Sequence, residues 1–482
     1  MPAALRDVLL GASRGPRGPS VAPRIGRPGV SQIELSLLEP LRHGRCPICA
    51  ELNDHDEKYL LWFVYETYRF PETVEALRRS HGFCPAHGAL LADHPAGGPA
   101  AAVVHSQMLS SLAAEVGDLH NRQPGSQNSG FLRPTPCPAC VSREEKSRRT
   151  ASFLSRVLAD TYHDGDYGSP GVLCHPHLQL LAPLLGAKAF REIVTRHATV
   201  IGQYQRSGPE PLDGGSVPFP AFLIAEEPAA AHYPSWHAME AAPPESDAVA
   251  GTTRLLDASE SCLVCNRVRN AWCGWMRWLI ARTRGGARML EVQDLLPTCS
   301  EHVGALLALV GSDPVPLLAG NILRLQIGNL TAALRFMRRK ENAAGIIPAL
   351  AESLFHRGGG FTMAREAVGR HLHCPVCRAS EIATERALDL LLRLLDQPHL
   401  RARYERGFGL CLRHFARALA MEPGPEARSC LIASEAAQLR LLHWELEEYR
   451  RKMAWSTRWE ERAQEQQAPR KAIARFSGGA LA

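Results

Sequence analysis

A CxxC followed at fixed distance by a CxxH is written four times along this chain, and no other feature limits its fold as tightly. The first copy is Cys46-Pro-Ile-Cys49 with Cys84-Pro-Ala-His87. The second is Cys137-Pro-Ala-Cys140 with Cys174-His-Pro-His177. The third joins Cys262 and Cys265 to Cys299 and His302, and the fourth joins Cys374 and Cys377 to Cys411 and His414. The gaps inside the copies are 34, 33, 33 and 33 residues, and the motif takes 12 of the 14 cysteines but only four of the 20 histidines. Three thiolates and one imidazole complete a tetrahedral shell for structural zinc, so four zinc ions per chain are expected.

Between copies the spacing is irregular: 49 residues from His87 to Cys137, 84 from His177 to Cys262 and 71 from His302 to Cys374. A metal-closed loop resists changes of length and a connection does not. On that reasoning each site is internal to its own repeat. A thiol–disulfide enzyme would also carry CPxC, but it leaves the CxxH at fixed distance unexplained. Attached haem needs a histidine directly after the second cysteine, where Ala50, Val141, Asn266 and Arg378 stand instead. An iron–sulfur cluster with one histidine ligand stays open, while donor type and count favour zinc. No signal-peptide pattern opens the chain, so an exported disulfide framework is not expected. Cys273 and Cys430, outside the motif, read as small buried apolar residues. His175 could compete for the second site, but the CxxH spacing favours His177.

The rest of the chain divides around these copies. Residues 1–30 are read as a disordered basic head, rich in arginine, glycine and proline as in Arg14-Gly-Pro-Arg-Gly-Pro-Ser20. Residues 31–206 form an N-terminal half with modules one and two. Residues 207–261 hold eight prolines and nine acidic residues against Arg254 alone, which reads as an acidic linker. Residues 262–456 form a C-terminal half with modules three and four, and 457–482 read as a flexible basic tail. Few contacts are expected to cross between the halves. Apolar stretches are broken by Arg, Glu or Gly short of a bilayer span, so a cytoplasmic protein with no membrane contact is expected.

The fold class follows from periodicity. In the fourth module Ile382, Ala383, Ala387, Leu390, Leu391, Leu394 and Leu395 recur at helical spacing. Pro398 stops that helix, a short helix over about 400–406 is closed by Gly407, and a long helix runs from Pro425 to about Met453. The first module repeats the scheme, with Pro71 placed 13 residues before Cys84 as Pro398 is before Cys411. The reading is all-α: tandem helical modules, each closed by a Cys3His zinc site, arranged as two halves of two modules. In the second module Tyr162 to Pro170 replaces the short helix with a loop.

Gly82-Phe83-Cys84-Pro-Ala-His87, with Cys46-Pro-Ile-Cys49 and Cys374-Pro-Val-Cys377, resembles an uncharacterised bacterial zinc-binding family with paired CPxC and GFCxxH motifs. Ser261-Cys262-Leu-Val-Cys265-Asn266 and Gly409-Leu-Cys411-Leu-Arg-His414 are similar to that family's second motif pair. The resemblance covers both halves, as if the arrangement had been doubled. It departs at Val172-Leu-Cys174 and Pro297-Thr-Cys299, which lack the preceding Gly-Phe. It implies zinc ligation and no particular activity.

The expected function is that of a non-enzymatic, zinc-stabilised helical scaffold or accessory subunit with a protein partner. A closed Cys3His shell leaves no coordination position for substrate or water. No P-loop, Rossmann fingerprint, HExxH or GxSxG in a strand–turn–helix context is present. One alternative is a nucleic-acid-binding regulator using basic helix faces and tails, such as the face of Arg335, Arg338, Arg339 and Lys340. Its weakness is the 33-residue gap, far longer than that of a DNA-reading finger. A second alternative is an enzyme with a site near the second-module loop, where His163, Asp164, Asp166 and Tyr167 cluster; ordinary turn chemistry explains those residues equally well.

Overall fold

The computed structural model describes residues 45–121, 130–132, 134–161, 173–207, 261–284, 374–457 and 459–478, with single positions elsewhere that include Cys299 and His302. Every regular element among the described residues is helical, and none of their helices is long and apolar enough to cross a membrane. The basic head, most of the acidic linker and the second-module loop lie outside the described residues. So do Arg338, Arg339 and Lys340, whereas Arg335 is helical and exposed.

The first module is built from α1 (Pro47–Tyr65), α2 (Pro71–Arg79), α3 (Pro85–Asp93) and the long α4 (Gly97–Asp118). The second contributes α5 (Pro138–Thr161), α6 (His175–Leu181) and α7 (Ala187–Ser207), and the third α8 (Leu263–Arg284). The fourth repeats the first with α9 (Pro375–Leu394), α10 (Pro398–Arg406), α11 (Leu412–Ala420) and the long α12 (Pro425–Lys452). Proline opens α1, α2, α3, α9, α10 and α12 in the first turn. Its fixed φ suits that position, and its missing N–H would have had no helical partner there. Pro398 thus starts α10, and α9 has already ended at Leu394.

In modules one and four a glycine stands two residues before the CxxH cysteine. Gly82 and Gly409 have φ of 80° and 75°, a left-handed turn that lets the chain drop from one helix into the next cysteine. Gly407, expected to close α10 in that manner, instead has extended backbone at φ −81°, and the turn is made two residues later.

The expectation that few contacts link the halves does not hold. Helices α4 and α12 pack along each other, running antiparallel: Gly98 lies beside the Tyr449 hydroxyl and Arg428 donates to the Leu119 carbonyl. Ser106 donates to Glu447 across the same seam, and Phe131 meets the ring of Phe415 edge-on at 5.8 Å. One apolar core therefore runs through modules one and four, including Leu77, Met108, Leu112, Leu431, Leu439 and Leu446.

The tail is also corrected. Residues 468–477 form α13 (Ala468–Ser477), with Ala472, Ile473 and Phe476 fully buried. Its basic composition disguises a helix whose positions 468, 472, 473 and 476 share one apolar stripe. Arg475 is buried against Glu435 of α12 at 3.1 Å, donates to the Leu410 carbonyl at 2.6 Å, and stacks over Phe408. Sequence alone counts Arg475 as a solvated charge, because its partner lies 40 residues away.

Candidate metal centres

Seven of the eight CxxC and CxxH motifs, all but the one at Cys299, begin a described helix, and the reason is local. Cys46, Cys84, Cys174, Cys374 and Cys411 are N-cap residues with extended backbone. The second donor of each pair, three residues on, lies in the first turn, one turn of helix bringing both to the same side. The N–H of His87 points at Cys84 Sγ (3.5 Å) and that of His302 at Cys299 Sγ (3.4 Å). Exposed N–H groups and the positive end of the helix favour thiolate there.

All sixteen residues come together in four Cys3His clusters, but not in the pairs the spacing implied. Cys46 and Cys49 meet Cys174 and His177, while Cys84 and His87 meet Cys137 and Cys140. Likewise Cys262 and Cys265 meet Cys411 and His414, and Cys299 and His302 meet Cys374 and Cys377. Every cluster joins the CxxC of one module to the CxxH of its neighbour. The assignment of each site to its own repeat is therefore overturned.

The exchange has a structural cause. Helices α1 and α5 lie antiparallel, with Glu51 paired to Lys146, His55 to Ser142 and Asp56 to Arg143. The start of each helix then lies near the far end of the other module's unit, and a metal site closes the pair at both ends. A two-ended clamp needs two units of matching length. The near-constant gap has that origin, not closure within one module.

The donor geometry fits a tetrahedral ion. A metal–sulfur bond of ~2.3 Å gives sulfur–sulfur edges of roughly 3.8 Å, and sulfur–nitrogen edges slightly less. In the first centre Cys49 Sγ lies 3.6 Å from Cys174 Sγ and 3.3 Å from His177 Nδ1. In the second, Cys140 Sγ lies 3.5 Å from both Cys84 Sγ and His87 Nδ1. The third has 3.9 Å between Cys265 and Cys411 and 3.4 Å from Cys262 to His414 Nδ1. The fourth has 3.5 Å between Cys299 and Cys377 and 3.3 Å from Cys377 to His302 Nδ1. These separations far exceed a disulfide bond, and the described cysteines are all unbridged. Crowding so many thiols is unfavourable without a cation: hydrogen bonding to Cys137 and Cys84 drives the Cys140 thiol well above its ordinary range. A divalent ion relieves that repulsion by holding all three as thiolates.

The centres differ in their surroundings. The first is wholly buried, whereas Cys377 of the fourth is exposed. Behind the second, Asp56 presents its carboxylate 3.7 Å from His87 Nε2 and pairs with Arg143. Behind the first, His197 bridges the carbonyls of Ile193 and Leu173, holding the strand of chain that enters Cys174. Sequence reasoning passed over both residues. Asp56 had one available signal, since it lies two helical turns beyond Cys49 on the same face.

Of the other sequence candidates, His175 bonds Gln179 (3.1 Å) outside the cluster, leaving His177 as the donor. Cys273 and Cys430 are buried, and burial raises both thiols, Cys430 to about 11. His163, Asp164, Asp166 and Tyr167 lie outside the described residues. Comparison with known proteins finds no matching family model, no matching curated protein and no matching solved structure.

Proposed function

We propose that this chain is a zinc-stabilised, all-α scaffold or accessory subunit that mediates protein–protein interaction in the cytoplasm. The observation that carries the reading is that each of the four centres has three sulfurs and one imidazole nitrogen already converging on one point. Such a shell is full, so the ion holds structure and takes no part in binding or turning over a substrate. Zinc is preferred to other ions because three thiolates and one imidazole at tetrahedral spacing are its ordinary donor set. Each ion fastens two modules together, contributing on the order of 10 kcal/mol to folding. The result is a stiff helical surface of the kind tandem-repeat proteins use to hold partners.

The test is to purify tagged chain from its native host without added metal, measure its metals, and identify co-purifying proteins by mass spectrometry. Four zinc per chain with a stoichiometric protein partner is the expected outcome. Iron with inorganic sulfide would reject the zinc assignment. Recovery of the chain alone under conditions that preserve complexes would reject the scaffold.

A further inference from the structure

Helix α1 carries its metal-binding and core residues on one face, and an exposed aromatic stripe on the other. Inward it buries Cys49, Leu52, Leu60, Phe63 and Val64. Outward, Leu61, Trp62 and Tyr65 are 48%, 64% and 62% exposed, and Phe70, just past the helix, is 47% exposed. At 100° per residue, Leu61, Trp62 and Tyr65 span an arc of about 100°. Single exposed apolar side chains are ordinary; three on one helical arc, with a fourth at its end, form a patch of the kind interfaces use.

The charges around this patch indicate what it meets. Glu57 is one turn before Leu61, Glu66 is one turn after Trp62, and Glu72 follows Phe70; all three are exposed. None of the three has an ion-pair partner among the described residues. The cations nearby are engaged: Lys58 pairs with Asp54 at 2.6 Å, and Arg69 stacks over Tyr68 at 4.9 Å. The platform is also rigid, since α1 is anchored at its start by the first centre and along its length by α5. A pre-ordered surface loses little entropy on binding.

We infer that the Leu61–Trp62–Tyr65–Phe70 face of α1 is a docking surface for an amphipathic basic helix of a protein partner. This rests on the scaffold reading and adds to it the place and the chemistry of the contact. Leucine-type side chains of the partner cover the aromatic stripe, and its lysines or arginines meet Glu57, Glu66 and Glu72. An acidic rim opposes an anionic membrane surface and an anionic nucleic acid alike.

The experiment uses full-length, metal-loaded protein and two labelled probe peptides, each patterned as an amphipathic helix, one of leucine and lysine and the other of leucine and glutamate. Fluorescence anisotropy is read for wild type, for Trp62→Ala with Tyr65→Ala, and for Glu57→Lys with Glu66→Lys. The leucine–lysine peptide is expected to bind wild type and to lose at least about tenfold in affinity with either pair, since truncated aromatic anchors typically cost that much. The leucine–glutamate peptide is expected to bind only the charge-reversed variant. Metal content and circular dichroism identify a misfolded variant, in which case the remaining pair decides. Equal affinity of all three proteins for the leucine–lysine peptide would overturn the inference. So would concentration-dependent dimerisation abolished by Trp62→Ala with Tyr65→Ala, which would make a second copy the occupant. If the native partner is still recovered at full yield by that variant, this face is rejected and the scaffold stands; if wild type recovers no partner, the scaffold reading itself falls.

Discussion

The carboxylate of Asp56 lies 3.7 Å from Nε2 of His87, on the far side of the ring from the Nδ1 that faces Cys84 and Cys140. The contact joins α1, which begins at the first centre, to a ligand of the second. At that separation Asp56 acts on the ring through its charge rather than a hydrogen bond, favouring the tautomer with its proton on Nε2 and raising the ring's basicity. Replacing Asp56 with Ala is therefore expected to lower metal affinity at the second centre by about 10–100-fold. Chelator competition should show one ion leaving early while the other three stay. Asp56→Asn, which keeps the shape, should fall between wild type and alanine. Four indistinguishable release phases in Asp56→Ala would refute this role.

The exchange of ligands between modules is open to a metal count. Cys49→Ala and His177→Ala strike the same centre, so the double substitution should lose no more metal than either alone. Cys49→Ala with His87→Ala strikes two centres and should lose two ions. Closure within each repeat requires the opposite result for both pairs. Elemental analysis of the purified variants separates the two arrangements.

Glu435 makes stability depend on pH. Burial moves its carboxyl from the ordinary 4.5 to about 7, outweighing the attraction of Arg475, and Cys262 adds to the rise. Between those values the folded chain binds more protons at this site than the unfolded chain. The contribution is therefore fully present below about 4.5 and is lost as pH rises through about 7, by a few kcal/mol. Glu435→Gln stays neutral throughout. The difference in urea midpoint between wild type and Glu435→Gln should shift against wild type from pH 5 to pH 8, an interval that covers most of that window. A constant difference would show that the ion pair with Arg475 keeps the carboxylate charged.

The C-terminal helix should behave as a core element. Phe476 is fully buried, so Phe476→Ala should cost about 3–5 kcal/mol. A Cβ on Gly82 would sit 2.7 Å from that of Phe476, in a backbone conformation that already disfavours a side chain. Gly82→Ala should destabilise by more than the ~1–2 kcal/mol of its left-handed φ alone. Because the two positions touch, their effects should depart from additivity in a double-mutant cycle. Chemical denaturation of the metal-loaded protein measures both, and a flexible tail would show neither loss.

The donors were legible in the sequence because their geometry is local. Cysteine, proline and a second donor three residues on can be read as a capped helix start from a handful of neighbouring residues. The helices of modules one and four were legible for the same reason: the period of Ala387, Leu391 and Leu394, and the breaks at Pro71 and Pro398, are properties of short segments. The partnership of the donors was not. A gap of 33 residues satisfies a loop closed on itself and a two-ended clamp between neighbours equally well. Only the antiparallel placement of α1 against α5 chooses between them.

The same division explains the tail and the halves. Arginine and alanine near residue 475 read as solvated chain until Glu435, the Leu410 carbonyl and the ring of Phe408 surround Arg475. The acidic, proline-rich composition of 207–261 says nothing of whether α4 and α12 meet. Sequence by itself determined which atoms can bind metal and where helices start, since both depend on residues within a turn or two. Tertiary structure alone decided which modules share an ion and what the last helix covers, because those free energies arise between surfaces that the chain brings together only when folded.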